Sequence, residues 1–338
     1  RVVYDATRLP LEKLLRLFFR IIDPVSLNKQ GEDEGTQYRT GIYYTDPAQL
    51  PQIEAVYRAQ EAKAGSKLAV ELMPLQNFFT AEEYHQNYLL KNPSGYCHLS
   101  PAELQFAKTY THITKALRAC SDEEKKVILP RFFKTGKGEY GEGDRFIGVV
   151  VPNTRKVARE YAGASWEVIE ALLESEWHEC RLCALLILME RYKKHPEETI
   201  RFYLENTRGI NNWDLVDLSA PYILGRYLKQ QEDRSVLYAL AGSGNMWEQR
   251  IAVVSTLALI RDNQFDDTLK LAEKFMGTKH DLMQKATGWM LREVGKRDER
   301  TLTDFLDRHC LQMPRTMLRY AIEKLTPEQR AHYMRRPL

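Results

Sequence analysis

The residues of this sequence whose types and spacing suit chemistry are three tryptophans, two aspartates and an arginine. Trp213, Asp214 and Asp217 share one predicted helix, with Asp217 three positions beyond Asp214 and on the same side. Trp247 and Arg250 open the next helical unit, and Trp289 follows in the one after. Carboxylates are costly to bury, and an indole face attracts positive charge by an estimated 0.5 to 2 kcal/mol, roughly. Aromatics beside a carboxylate in a low-dielectric cleft therefore suit a cationic ligand. A second reading fits the same residues: the tryptophans belong to the core, and Asp214 caps a helix or pairs with a basic neighbour.

Other motifs point away from cofactors. Gly136, Gly138 and Gly141 spell G-x-G-x-x-G, but a helical segment precedes them, and Glu139, Glu142 and Asp144 sit where a phosphate would be repelled. No nucleotide cofactor is expected. Cys180 and Cys183 form a C-x-x-C inside an apolar helical run with no second pair to complete a zinc set, so they read as buried structural thiols. The histidines show no H-E-x-x-H or similar grouping, and no metal site is implied.

Two textures along the chain must position these residues. Up to residue 96, short β-branched or aromatic runs at 2–4, 38–44 and 68–72 alternate with helical patterns at 11–22, 52–64 and 81–90, an α/β texture. From Pro101 onward strands nearly vanish and amphipathic helices follow one another with short breaks. The turn-rich stretch 92–101 supplies a link, with the boundary near residues 99–103. The helical part repeats: Arg181, Asp214, Arg250 and Lys285 occupy equivalent positions at spacings of 33, 36 and 35 residues. Units of that length hold two antiparallel helices that bury their apolar faces by stacking, which predicts a curved solenoid with a concave surface. The basic residues at the shared position either face a ligand or mark a solvated face that simply repeats.

Composition sets outer bounds. With 43% hydrophobic and 28% charged residues and no apolar run near the roughly 18 residues of a membrane span, no membrane insertion is expected. Residues 1–103 hold 13 acidic against 11 basic side chains and the remainder 33 against 38, so only the helical part is basic. That excess permits nucleic-acid binding without establishing it. An odd number of cysteines, five, and no secretory leader suggest free thiols and a cytoplasmic location. The first residue is Arg1 rather than methionine, so the amino end reads as cut.

The stretch 132–333 closely resembles the HEAT-like-repeat DNA alkylation-repair glycosylases. The resemblance rests on Phe132-Phe-Lys-Thr-Gly-Lys-Gly-Glu-Tyr-Gly-Glu-Gly-Asp-Arg-Phe146, Asn212-Trp-Asp-Leu-Val-Asp-Leu-Ser-Ala-Pro221, Trp247-Glu-Gln-Arg-Ile-Ala252 and Gln284-Lys-Ala-Thr-Gly-Trp-Met-Leu-Arg-Glu293. It implies a concave surface that grips double-stranded DNA, Trp213 and Trp289 against a cationic nucleotide, Asp217 as catalytic carboxylate and Arg250 on a phosphate. Trp247, Arg181 and Lys285 are further candidates for DNA contact. Purines alkylated at N3 or N7 carry a positive charge and leave readily, so stabilising the sugar suffices, as in glycoside hydrolysis. Some relatives on similar scaffolds bind DNA without excising a base, so a non-catalytic scaffold for DNA or protein is the alternative.

Residues 1–97 resemble the class A peptide methionine sulfoxide reductases. Asp23-Pro-Val-Ser-Leu-Asn-Lys-Gln-Gly-Glu-Asp-Glu-Gly-Thr-Gln-Tyr-Arg39, Ala81-Glu-Glu-Tyr-His-Gln-Asn-Tyr88 and Asn92-Pro-Ser-Gly-Tyr-Cys97 carry the likeness. It implies that Asp33 and Tyr38 help hold the sulfoxide and that Cys97 is a resolving thiol. The family's nucleophilic Gly-Cys-Phe-Trp segment occurs nowhere in the sequence, so reductase activity is not expected of this chain. The whole reads as a mainly α chain: a truncated α/β (α+β plait) reductase-like domain at 1–100, then a HEAT-like solenoid at 101–338. It fits a fragment of a reductase–glycosylase fusion, or a degenerate domain kept for solubility or partner binding. Residues 2–4 would then expose an unpaired strand edge.

Overall fold

The computed structural model describes residues 2–4, 6, 10–93, 95–97 and 99–335, and it forms two compact units, Arg1–Ala107 and Lys108–Leu338.

In the first unit α1 (Leu11–Arg20) precedes an antiparallel hairpin of β1 (Lys29–Gln30) and β2 (Asp33–Glu34). Then come β3 (Gly41–Tyr44), α2 (Leu50–Ala64), β4 (Glu71–Pro74) and the short α3 (Tyr88–Lys91). β3 and β4 pair in parallel, Gly41 opposite Glu71 and Tyr44 opposite Pro74, with α2 as the crossover that parallel strands require. α2 ends where Gly65 turns left-handed at φ 66° and its N–H bonds the Glu61 carbonyl. Leu15, Phe19, Ile53, Val56 and Val70 make the core.

Three local expectations need correcting. Residues 2–4 form no strand: no partner ladder is present for their backbone, and Val2 and Val3 lie exposed. Residues 81–87 run through turns closed by His85 to Glu82 and Gln86 to Glu83 bonds, and left-handed Asn87 confines the helix to 88–91. The strand expected at 68–72 runs from Glu71 to Pro74, in register with β3. Arg1, and Ser94 and His98 of the expected turn segment, lie outside the described residues.

The division between units falls within α4 (Pro101–Ala119). Beyond it the second unit is helical: α5 (Glu123–Phe132), α6 (Val151–Glu160), α7 (Trp166–Leu173), α8 (His178–Tyr192), α9 (Pro196–Glu205), α10 (Trp213–Ser219) and α11 (Leu224–Leu228). They continue as α12 (Ser235–Ala241), α13 (Met246–Ile260), α14 (Asp266–Lys274), α15 (Asp281–Arg297), α16 (Glu299–His309), α17 (Arg315–Ala321) and α18 (Pro327–Met334). α8, α10, α13, α15 and α17 pack in succession as one row, backed by α7, α9, α12, α14 and α16. The row is not uniformly amphipathic. Residues 178–188 of α8 and 250–260 of α13 are buried on every side, because each helix is flanked by row neighbours and backed by a second layer. Gly288 lets α15 and α17 approach closely, since a Cβ there would run into the Met317 carbonyl oxygen. Among the described residues no helix is long and apolar enough to cross a membrane.

Candidate active site

The row brings the leading halves of α10, α13 and α15 side by side. Asparagines set two of the tryptophans: the Asn212 side chain caps α10 by accepting from the Trp213 N–H at 2.8 Å, and Asn245 caps α13 through Trp247 at 2.9 Å. On the next turn of α10, Asp217 meets Arg250 of α13 in a two-pronged ion pair, with Nε at 3.0 Å from Oδ1 and Nη2 at 2.8 Å from Oδ2. The remaining prong, Nη1, donates to the Leu282 carbonyl of α15 at 2.6 Å. One guanidinium thus ties three successive row helices together.

The pair opens into a cleft of about 500 Å³ lined by Phe132, Tyr140, Trp213, Asp217, Arg250, Lys285, Trp289 and Tyr320, among others. Burial pushes the Asp217 carboxyl above the ordinary carboxylate range, against the opposing pull of Arg250. Its side chain keeps 18% exposure, enough to be reached from the cleft. Trp213 is held by a ring stack on Phe133 at 5.3 Å and by the edge of Phe132 at 5.8 Å. Trp289 donates from its indole N–H to Glu293 at 3.2 Å, which orients the ring one turn above its own helix's Lys285.

Of the residues singled out by sequence, Trp213, Asp217, Arg250, Lys285 and Trp289 converge on this cleft. Lys285 pairs with Asp281 at 2.6 Å, and that hydrogen bond raises its ammonium. Trp247 does not line the cleft; it stands edge-on to Tyr140 at 6.3 Å. Arg250 is largely buried, and three of its five N–H donors are engaged on Asp217 and the Leu282 carbonyl. Arg181 is also buried, bonded to Asp144 and, at 2.7 Å, to the Ser175 carbonyl, and it does not line the cleft. Asp214 is paired with a basic neighbour, His178, whose Nε2 lies 2.8 Å away. Phe132, Tyr140 and Tyr320 are lining residues that spacing did not single out, although Phe132 and Tyr140 lie inside a recognised motif. The glycine loop is filled from within: Glu139 accepts from the Gly136 N–H at 2.9 Å and Glu142 from the Gly138 N–H at 2.7 Å. Among the described residues no three His, Cys, Asp or Glu side chains are grouped to hold a metal ion.

In the first unit Asp33 lies half-buried on β2, Tyr38 is exposed on a short turn of helix, and Cys97 is a half-buried free thiol. The Tyr96 hydroxyl reaches within 3.7 Å of where a Cβ would stand at Gly31, so the segment ending in Cys97 runs beside the β1–β2 hairpin.

Helices packed in succession, with the Asp217–Arg250 pair, Trp213 and Trp289 lining one cleft, make the second unit a helical array. Residues 113–325 match the family described as DNA alkylation repair enzyme, and the chain belongs to that family. Residues 1–116 match the peptide methionine sulfoxide reductase family. Among solved structures, one described as a predicted DNA alkylation repair enzyme from Enterococcus faecalis aligns at TM-score 0.52 and 18% identity, over 61% of this chain and 97% of that one. Mxr1 from Saccharomyces cerevisiae in reduced form is 41% identical over 29% of this chain, with TM-score 0.28. The chain spans 55% of the length of that relative.

Proposed function

We propose that the second unit is a DNA glycosylase that hydrolyses the N-glycosidic bond of purines made cationic by alkylation at N3 or N7. The observation that carries this reading is the Asp217 carboxylate, fixed by Arg250 and open to a cleft walled by Trp213 and Trp289. The indole faces attract the positive base by about 0.5–2 kcal/mol. As the bond breaks, its electron pair leaves with the base and neutralises it, so no strong general acid is needed. Positive charge passes to the sugar, where Asp217 stabilises it, and water adds at the anomeric carbon and loses its proton. Arg250 acts as a positioning residue: its fork fixes the carboxylate plane and favours the ionised form.

Phosphates of double-stranded DNA would meet Lys285 and the exposed Lys134, Lys137, Lys279 and Arg319, each within three residues of a lining residue in sequence. Binding then weakens steeply with salt as counterions are released. The match at residues 1–116 favours a second reading for this polypeptide, that of a reductase joined to a repair module. With no Gly-Cys-Phe-Trp segment in the sequence, we assign the chain no reductase activity. The test is incubation of the full chain with methylated duplex DNA: free 3-methyladenine or 7-methylguanine supports the glycosylase. Salt-sensitive binding without base release would leave a DNA scaffold instead.

A further inference from the structure

Behind Trp213 lies a buried polar cluster that the cleft chemistry does not use. His178, at the start of α8 and 2% exposed, places Nδ1 at 2.8 Å from Asp144 Oδ2 and Nε2 at 2.8 Å from Asp214 Oδ2. Asp144 comes from the loop before α6 and is also bonded by Arg181 and, at 3.3 Å, by the Asn212 amide. Asp214 has no second donor: its Oδ1 is buried without a partner. Phe146 stacks on the imidazole at 4.5 Å, and Phe133 tilts against it at 4.9 Å while stacking on Trp213 with its own ring.

A neutral imidazole has one N–H, whereas ionised carboxylates only accept. With an ionised carboxylate at hydrogen-bond distance from each ring nitrogen, as at Asp144 and Asp214, both bonds form only when both nitrogens donate. We propose that His178 is a positioning residue held as an imidazolium, the internal counter-ion of Asp214 that keeps Asp217, one turn along α10, ionised for the reaction. The proposal rests on the reading of Asp217 as the reacting carboxylate.

The surrounding charges support it. Within the cluster His178 and Arg181 balance Asp144 and Asp214. Glu179, beside His178 on α8, is occupied by the N–H groups of Ile147, Gly148 and Val149 at 2.8, 2.8 and 3.0 Å, so it does not compete for the imidazole. On the α10 side Asp214 adds to the upward push on Asp217, and Arg250 opposes that push. Burial disfavours a charged His178, yet Asp214 and Asp144 together push the imidazole up to about 9. Removing the imidazolium leaves Asp214 as an uncompensated negative charge near Asp217, which favours the protonated, inactive acid.

The test uses the full chain with isotope-labelled histidine and aspartate. In the wild-type protein at pH 7, nitrogen NMR should show both His178 nitrogens protonated; a neutral ring, with the proton residing on Asp214, overturns the proposal. In His178→Gln, the titration midpoint of the Asp217 carboxyl carbon should move up by about one pH unit, and His178→Lys should return it towards wild type. A midpoint unmoved in His178→Gln also overturns the proposal. If the Gln variant does not fold, the wild-type nitrogen shifts decide alone. These readouts need no base release, so a silent glycosylase assay would count against the function and not against the counter-ion.

Discussion

In the first unit Asp33, Tyr38 and Cys97 stand on a two-residue strand, an exposed turn and a segment beyond α3, over a core of five buried side chains. In the second, Trp213, Asp217, Arg250 and Trp289 project from adjacent helices whose inner faces are packed throughout. Leu90, Phe79 and Val3 of the first unit exceed 80% exposure, whereas residues 178–188 and 250–260 of the second are buried without interruption. The difference lies in support. A family motif preserves residue types in both units, but side chains converge on a cleft where packed helices leave each Cα one place to be. Fully burying a large apolar side chain contributes about 1.5–3 kcal/mol, so the second unit fixes its geometry with energy the first lacks.

Asp217→Asn should lower single-turnover base release by about 10²- to 10³-fold, the usual scale for losing a preorganised electrostatic group. Trp213→Ala and Trp289→Ala should each cost about tenfold in release, read on the same DNA, from the loss of cation–π attraction. Trp213→Phe should recover part of that loss. Arg250→Met, which strands Asp217, should raise the acidic limb of the pH–rate profile and lower stability by about 2 kcal/mol in urea unfolding; the partial exposure of Asp217 moderates the loss expected of a buried pair.

The stability of the buried cluster should also depend on pH. His178 is raised from 6.5 to about 9, so its contribution is complete below pH 6.5 and disappears as pH rises through 9. Asp144 behaves oppositely. Burial raises its carboxyl, but His178 and Arg181 prevail and hold it below the ordinary value, so its contribution is lost as pH falls through that depressed value. Urea midpoints measured from pH 6 to 10 should therefore fall at the alkaline end, and His178→Gln should flatten that fall. The smallest effect belongs to the first unit: Tyr38→Phe and Cys97→Ser should leave base release unchanged, and a tenfold loss from either would mean that the units are not separate in function.

Sequence made much of the second unit legible because its signals are long-range and periodic. The recurrence at 181, 214, 250 and 285 marks four of the five row helices, α8, α10, α13 and α15, and the Trp-Asp spacing on α10 marks two residues that line the cleft. Net charge and residue type could not reveal where a side chain ends. Arg181 and Arg250 share a repeat position, yet one pairs with the buried Asp144 and the other with the partly exposed Asp217, since a poorly solvated carboxylate is stabilised by a guanidinium. His178 carried no motif, and its role depends on Asp144 and Asp214, which lie 34 and 36 residues away in sequence. In the first unit the apolar run at 2–4 and the helical pattern at 81–90 carried strand and helix propensity, but the first formed no strand and the second kept only its last residues, from Tyr88, as helix.

The most direct measurement is a single-turnover time course on methylated duplex DNA for the wild-type chain and Asp217→Asn, reading DNA binding and freed base in the same samples. Hydrolysis dependent on Asp217 requires free 3-methyladenine or 7-methylguanine and an abasic strand from the wild type, and intact methylated DNA bound with similar affinity by Asp217→Asn. Equal release from both proteins, or none from a folded wild type that binds the DNA, would contradict it.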